Sequence, residues 1–290
     1  MFVIQDDVDY IAVIDGAGEG GGGVAGFRLK SPTGGHLGRG QGKAGGELQL
    51  EAILAARDWR GEFLLAFGSG SSAAHRCIAR VRIGGGDTDL SVFETRKFYQ
   101  ALEELDEFAG TTLNIEGVAL VPRGMGGRDG VRLFHRANGK PRGDGARLSA
   151  TCDVRLDALL AYLDRCKRDP SATVGFDPSN VRRYDLDQVD GVPFTFTDAA
   201  ALPDGKVVYV AAAEQSEDAG IAGPCFGTSL GVIDLDGSAR YTTIVERDGS
   251  PTKRKAEGLA VTSEKSGFLV IDPESEEHPS TLCAVEFSGL

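Results

Sequence analysis

The chain has 290 residues, is 41% hydrophobic, and is long enough to bury a large core, so residues 1–290 are read as a single repeat-built domain. Thirty-one basic residues against 43 acidic ones leave a formal charge of -12, which repels a phosphate backbone and excludes nucleic acid as a general partner, leaving a small polar ligand, a protein or a metal ion. The five cysteines lack CxxC spacing and no run nears the roughly 18 apolar residues of a membrane span; the expectation is a cytoplasmic protein with reduced thiols, no disulfide framework, no zinc site and no membrane partner.

Taken in order, the apolar runs are short, rich in Val, Ile, Phe and Ala, and bounded by Gly, Pro, Asp or Ser, which predicts strands and turns. Phe2 to Asp7 and Ala12 to Asp15 come first, followed by a Gly-rich loop at 16–23. Glu51 to Ala55, Leu64 to Ser69, Ala79 to Arg82 and Leu90 to Glu94 form the next group. Lys97 to Phe108 then places Phe98, Leu102, Leu105 and Phe108 on one stripe, which predicts a surface helix. A third group runs through Leu113 to Leu120, Arg132 to Asn138, Cys152 to Arg155 and Val181 to Leu186, with loops at 124–130 and 139–145 and a second helix at Asp157 to Lys167. Asp198 to Leu202, Val208 to Glu214, a loop at 214–223, Gly231 to Asp234 and Arg240 to Glu246 form the fourth, and Glu257 to Val261, Phe268 to Asp272 and Cys283 to Glu286 the fifth.

Three columns repeat through these groups. Glu51, Glu116, Asp198 and Glu257 each lead an apolar strand; a second strand ends in small or polar residues at Asp6, Ser69, Asn138, Glu214 and Asp272; a third alternates small, variable, β-branched and charged residues. Antiparallel units of this kind describe an all-β, five-bladed β-propeller with two short surface helices, six blades being the alternative if one copy has diverged.

The segments LNIEGVAL at 113–120, FTDAAALPDGKVVYVAAAE at 196–214, FGSGSS at 67–72, AEGLAV at 256–261 and FLVIDPES at 268–275 resemble a family of uncharacterised bacterial β-propellers, a domain of unknown function numbered 6929. The carboxylate-led strands are more distantly similar to those of phytase-like and gluconolactonase-like propellers. That likeness implies central carboxylates able to hold calcium.

In a propeller the carboxylate-led inner strand starts where its antiparallel neighbour ends. Glu51, Glu116, Asp198 and Glu257 are therefore expected at one mouth of the central channel together with Ser69, Arg136, Asn138, Glu214 and Asp272, as a set that binds a small polar ligand. Converging acids repel, so the group needs a cation, protonation of one member, or pairing with Arg136 or Lys255. Two readings stay open. In the first, Glu51, Glu116, Asp198 and Glu257 hold calcium, or Glu116 and Glu257 act as general acid and base in hydrolysis of an ester, lactone, phosphoester or glycoside. In the second, the carboxylates are structural and the protein is a non-catalytic interaction scaffold whose loops engage a protein partner. Arg136 serves either as an anion ligand or as the acids' counter-charge. His135 falls in an apolar column and is read as core. The glycines after Tyr10 to Asp15 imitate a dinucleotide fingerprint but continue where its helix should begin, and Gly68 to Ser71 lacks the setting of a nucleophile elbow.

Overall fold

The structure, a computed structural model, describes residues 1–4, 10–14, 24–28, 50–84, 90–125, 127–141, 147–216, 223–273 and 278–287. Asp6 and the loop inferred at 16–23 lie outside them, as do residues 142–146 and 217–222 of the two later loops. The chain divides into two compact units, Met1–Ala101 with Asp157–Asp177, and Leu102–Leu156 with Pro178–Leu290.

In the first unit, β1 (Phe2–Val3), β2 (Tyr10–Ile14) and β3 (Val24–Arg28) form an antiparallel sheet. A four-stranded meander follows, β4 (Leu50–Asp58), β5 (Gly61–Gly68), β6 (Cys77–Arg82) and β7 (Leu90–Glu94). Ile11, Leu50, Leu64, Ala66, Cys77, Ala79 and Val81 make one buried cluster between these sheets, as the period-2 alternation requires. The helix α1 (Arg96–Glu103) begins in this unit, and α2 (Leu156–Cys166) lies in it from Asp157. The first helix is shorter than its apolar stripe suggested, because the chain leaves α geometry after Glu103. Nor does it lie on the surface throughout: Tyr99 is fully buried, and its hydroxyl donates to the carbonyls of Gly68 and Cys77 at 2.7 and 3.1 Å.

The second unit holds three successive meanders. The first is β8 (Ile115–Met125), β9 (Arg128–His135), β10 (Ser149–Arg155) and β11 (Ser179–Tyr184). After a hairpin of β12 (Gln188–Val189) and β13 (Val192–Pro193) comes β14 (Thr195–Ala201), β15 (Val207–Glu214), β16 (Cys225–Ile233) and β17 (Ala239–Thr243). The last is β18 (Lys255–Ser263), β19 (Ser266–Asp272) and β20 (Thr281–Glu286). The expected loop at 124–130 is instead a tight hairpin joining β8 to β9, with Gly127 at φ 83. Asp-Gly pairs make three further turns. Asp204, Asp236 and Asp248 each accept the backbone N–H two residues on, and Gly205, Gly237 and Gly249 take φ of 90, 85 and 84, the left-handed geometry that glycine adopts without strain.

The first strands of these three meanders stand side by side, β14 between β8 and β18. Successive antiparallel sheets with adjoining inner strands are the arrangement of blades in a β-propeller. Phe134, Phe196, Tyr184 and Tyr209 fill the space between the first two blades, with Phe196 edge-on to Phe134 and to Tyr209 at 5.0 Å. Among the described residues no helix is long and apolar enough to cross a membrane.

Candidate functional site

One irregularity recurs in every carboxylate-led strand. Pairing between inner strand and neighbour skips a residue at Glu51 in β4, at Glu116 in β8, at Thr197 in β14 and at Glu257 in β18. Each is a β-bulge, which leaves one residue outside the ladder and re-aims its side chain. This corrects the expected column: Thr197, not Asp198, stands in register with the glutamates. Asp198 takes the next position, where the other strands carry Ala52, Gly117 and Gly258.

That shift changes what each residue holds. Thr197 Oγ1 donates to the Ala256 carbonyl at 2.6 Å, while Asp198 accepts the N–H of Ala199 on Oδ1 and of Leu259 on Oδ2, both at 2.7 Å. Two contacts therefore tie β14 to β18. Burial pushes the Asp198 carboxyl up to about 8, against the two N–H donors and with the help of nearby Glu116.

The glutamates of β8 and β18 join a chain of alternating charge. Arg136, at the end of β9, donates from Nη1 to Glu116 Oε1 at 3.3 Å, from Nη2 to Glu214 Oε2, and from Nε to Thr195 Oγ1 at 3.3 Å. Lys255, opening β18, contacts Glu214 Oε2 at 3.2 Å and Glu257 Oε1 at 2.6 Å. Asn114 Nδ2 donates to Glu116 Oε1 at 2.6 Å and to Asn138 Oδ1 at 3.0 Å. Gly223 N donates to Glu214 Oε1 at 2.7 Å. Arg136 and Glu214 are nearly sealed, their side chains 5% and 2% exposed, whereas Glu257 is 28% exposed.

Three carboxylates thus meet two cations. Burial by itself pulls the Arg136 guanidinium down, but Glu116, Glu214 and Glu257 outweigh it and hold it above the ordinary arginine value. Lys255 is likewise raised: Glu257 and Glu214 overcome burial and the proximity of Arg136. Glu214 is held low, because Arg136 and Lys255 outweigh its burial. Glu257 goes the other way, up to about 7, since burial, Glu116 and a hydrogen bond with Asp272 prevail over Lys255.

A pH dependence follows. The folded-state value of Glu257 lies above its ordinary 4.5, so from about pH 4.5 to about 7 the folded state keeps a proton that the unfolded chain releases, and stability falls as pH rises. Asp198 acts in the same direction up to about 8, while Glu214 contributes stability that is lost on acidification. Glu257→Gln is expected to make the decline of melting temperature between pH 5 and 8 shallower than in the wild type, read by thermal unfolding at fixed ionic strength.

Of the residues expected at the mouth, the second unit brings together Glu116, Arg136, Asn138, Glu214, Glu257 and Asp272, with Asp198 on the adjoining strand. Glu51 and Ser69 belong to the first unit; there Ser69 Oγ meets Ser71 Oγ at 2.9 Å, and Ser71 Oγ meets His75 Nδ1 at 3.0 Å. His135 is fully buried, as its column suggested, with Nε2 3.1 Å from Thr111 Oγ1 and Nδ1 3.1 Å from the N–H of Asn114. Asn114 and Thr195 went unremarked in the sequence, since neither carries charge or repeats in a column.

Calcium takes six to eight oxygen ligands. In the second unit the guanidinium of Arg136 and the ammonium of Lys255 lie against Glu116, Glu214 and Glu257. Among the described residues no group of three or more His, Cys, Asp or Glu side chains is placed to hold a metal ion. Beside the charge chain lies a cleft of about 490 Å³ lined by Lys253, Arg254, Lys255, Asp272, His278 and Cys225, among others.

Residues 1–287 match the Family of unknown function (DUF6929), and the chain belongs to that family. No curated protein matches it.

Proposed function

We propose, for this member of a family of unknown function, a non-catalytic β-propeller that binds a small polar ligand where Lys255, Glu257 and Asp272 reach the cleft, with the other central carboxylates acting as structural counter-charges. The observation that carries this reading is the placement of Arg136 and Lys255, each between two carboxylates. A neutralised acid group has little remaining affinity for a metal, and its members are held in place by their partners. A count of five blades is supported by five antiparallel meander sheets in chain order. A cytosolic setting is supported by five free cysteines. The distant calcium and hydrolase likenesses are not carried into this reading.

Ligand-observed NMR against a panel of neutral sugars, polyols, amino acids and organic acids tests the proposal. The expected result is saturation transfer to at least one member, weakened in Lys255→Met whose fold is verified by circular dichroism. No binder in the panel contradicts it. Turnover of an ester, lactone, phosphoester or glycoside in the same assay, lost in Glu257→Gln, would replace it with the hydrolytic reading, in which Glu257 and Glu116 are the acid–base pair.

A further inference from the structure

The described residues that line the cleft beside Lys255 carry more positive than negative charge. In a protein of net charge -12, three consecutive cations, Lys253, Arg254 and Lys255, line it together with His278. Their charges are not spent equally. Lys255 is buried and faces Glu214 and Glu257, whereas Lys253 and Arg254 are exposed. Among the described residues the ion-pair contact of Arg254 is a long one with Glu246, Nε to Oε1 at 3.7 Å between two largely solvated side chains, a geometry worth little in water. Among the described residues Lys253 and His278 have no carboxylate partner within ion-pair distance.

The backbone under these side chains is fixed. The Arg254 carbonyl accepts Thr228 Oγ1 at 2.7 Å and the Arg254 N–H donates to Thr252 Oγ1 at 3.4 Å. Thr252 is itself buried and donates to Glu246 at 2.6 Å. Pro273 and Pro279 also line the cleft, each with its own φ fixed by its ring. Cations on a braced segment lose less freedom on binding than cations on a loose loop. Among the described lining residues Asp272 is the one acidic group, an acceptor for a hydroxyl.

We infer that the cleft binds a small hydroxylated organic anion, its phosphate or carboxylate held by Lys253, Arg254 and His278 and a hydroxyl held by Asp272. This rests on the ligand-binding reading above and adds to it the class of ligand. Arginine and lysine supply charge-assisted hydrogen bonds to oxyanion oxygens, and the carboxylate of Asp272 discriminates against a bare dianion.

Titration calorimetry of the full chain with glucose 6-phosphate, gluconate, glucose, glucosamine and inorganic phosphate tests the inference, at one pH and ionic strength. The expected order places glucose 6-phosphate or gluconate above glucose and glucosamine, and above phosphate alone. The paired variant Lys253→Met with Arg254→Met, both on exposed positions, should weaken that binding by about tenfold or more, equivalent to the loss of one charge-assisted hydrogen bond, with an unchanged melting temperature. Glucose or glucosamine binding as well as the anions, or equal anion binding by the paired variant, overturns the anion class while leaving a polar-ligand propeller intact. No binding by any probe overturns this inference, and an empty panel in the NMR screen overturns the broader reading as well.

Discussion

Replacement of Arg136 by methionine is expected to lower the free energy of unfolding by about 3–5 kcal/mol, because removing one partner of a buried ion pair leaves an uncompensated charge in the interior. Glu214 is 2% exposed and Glu116 11% exposed in their side chains. Neither can turn to water without dismantling the ends of β8 and β15. Lys255 continues to meet Glu214, so Glu116 bears most of the cost, keeping among the described residues its hydrogen bond from Asn114. For a domain of this size the loss corresponds to a fall in melting temperature of roughly 10 °C. Removing the acids along with the cation should recover part of it, since a buried ion pair replaced as a whole by packed neutral groups is often tolerated. The combination Arg136→Met, Glu116→Gln and Glu214→Gln should therefore be more stable than Arg136→Met alone, measured by denaturant unfolding.

The second large effect concerns Gly117, next to the β8 bulge. A Cβ there would lie 3.0 Å from the Ala199 nitrogen and 3.1 Å from the Asp198 carbonyl carbon, both backbone atoms of the neighbouring inner strand. The strand β14 cannot simply retreat, because Thr197 and Asp198 hold it to β18 on its other side. Gly117→Ala should cost about 1–3 kcal/mol, as overpacked interiors do, and Gly117→Val more, since its branched methyls enter the same gap. If the close approach is as described, the variants should also speed amide hydrogen exchange at Leu259, whose N–H is held by Asp198. Unchanged stability in Gly117→Val would mean that β8 and β14 are not in backbone contact.

The strand columns were readable from the sequence because each obeys a short-range rule: period-2 alternation of apolar residues and Gly, Asp or Ser at the ends. Even the outer strands at 90–94, 181–186 and 240–246 correspond to β7, β11 and β17 within a few residues. What could not be read was register. Asp198 resembles Glu116 chemically, yet the bulge falls at Thr197 because the ladder to β15 resumes at Asp198. A one-residue offset of that kind is set by pairing between strands, which leaves no mark on the strand's own composition. Likewise Arg136 and Lys255 could be named as counter-charges from charge balance alone. That each would bridge two carboxylates depended on Glu214 and Lys255 meeting across a separation of 41 positions, 214 to 255. The basic cleft was invisible for the same reason: Lys253, Arg254 and His278 share no spacing rule and meet only through the β18–β19–β20 meander.

The central claim is that Glu116, Glu214 and Glu257 are neutralised by the protein's own cations, Arg136 and Lys255. A double-mutant cycle on Arg136→Met and Glu214→Gln, read by denaturant unfolding, measures it most directly. The account predicts a coupling energy of about 1.5 kcal/mol or more, as expected for a buried, charge-assisted pair. Additive losses, with coupling near zero, would contradict it and return the carboxylates to the role of ligands for something outside the chain.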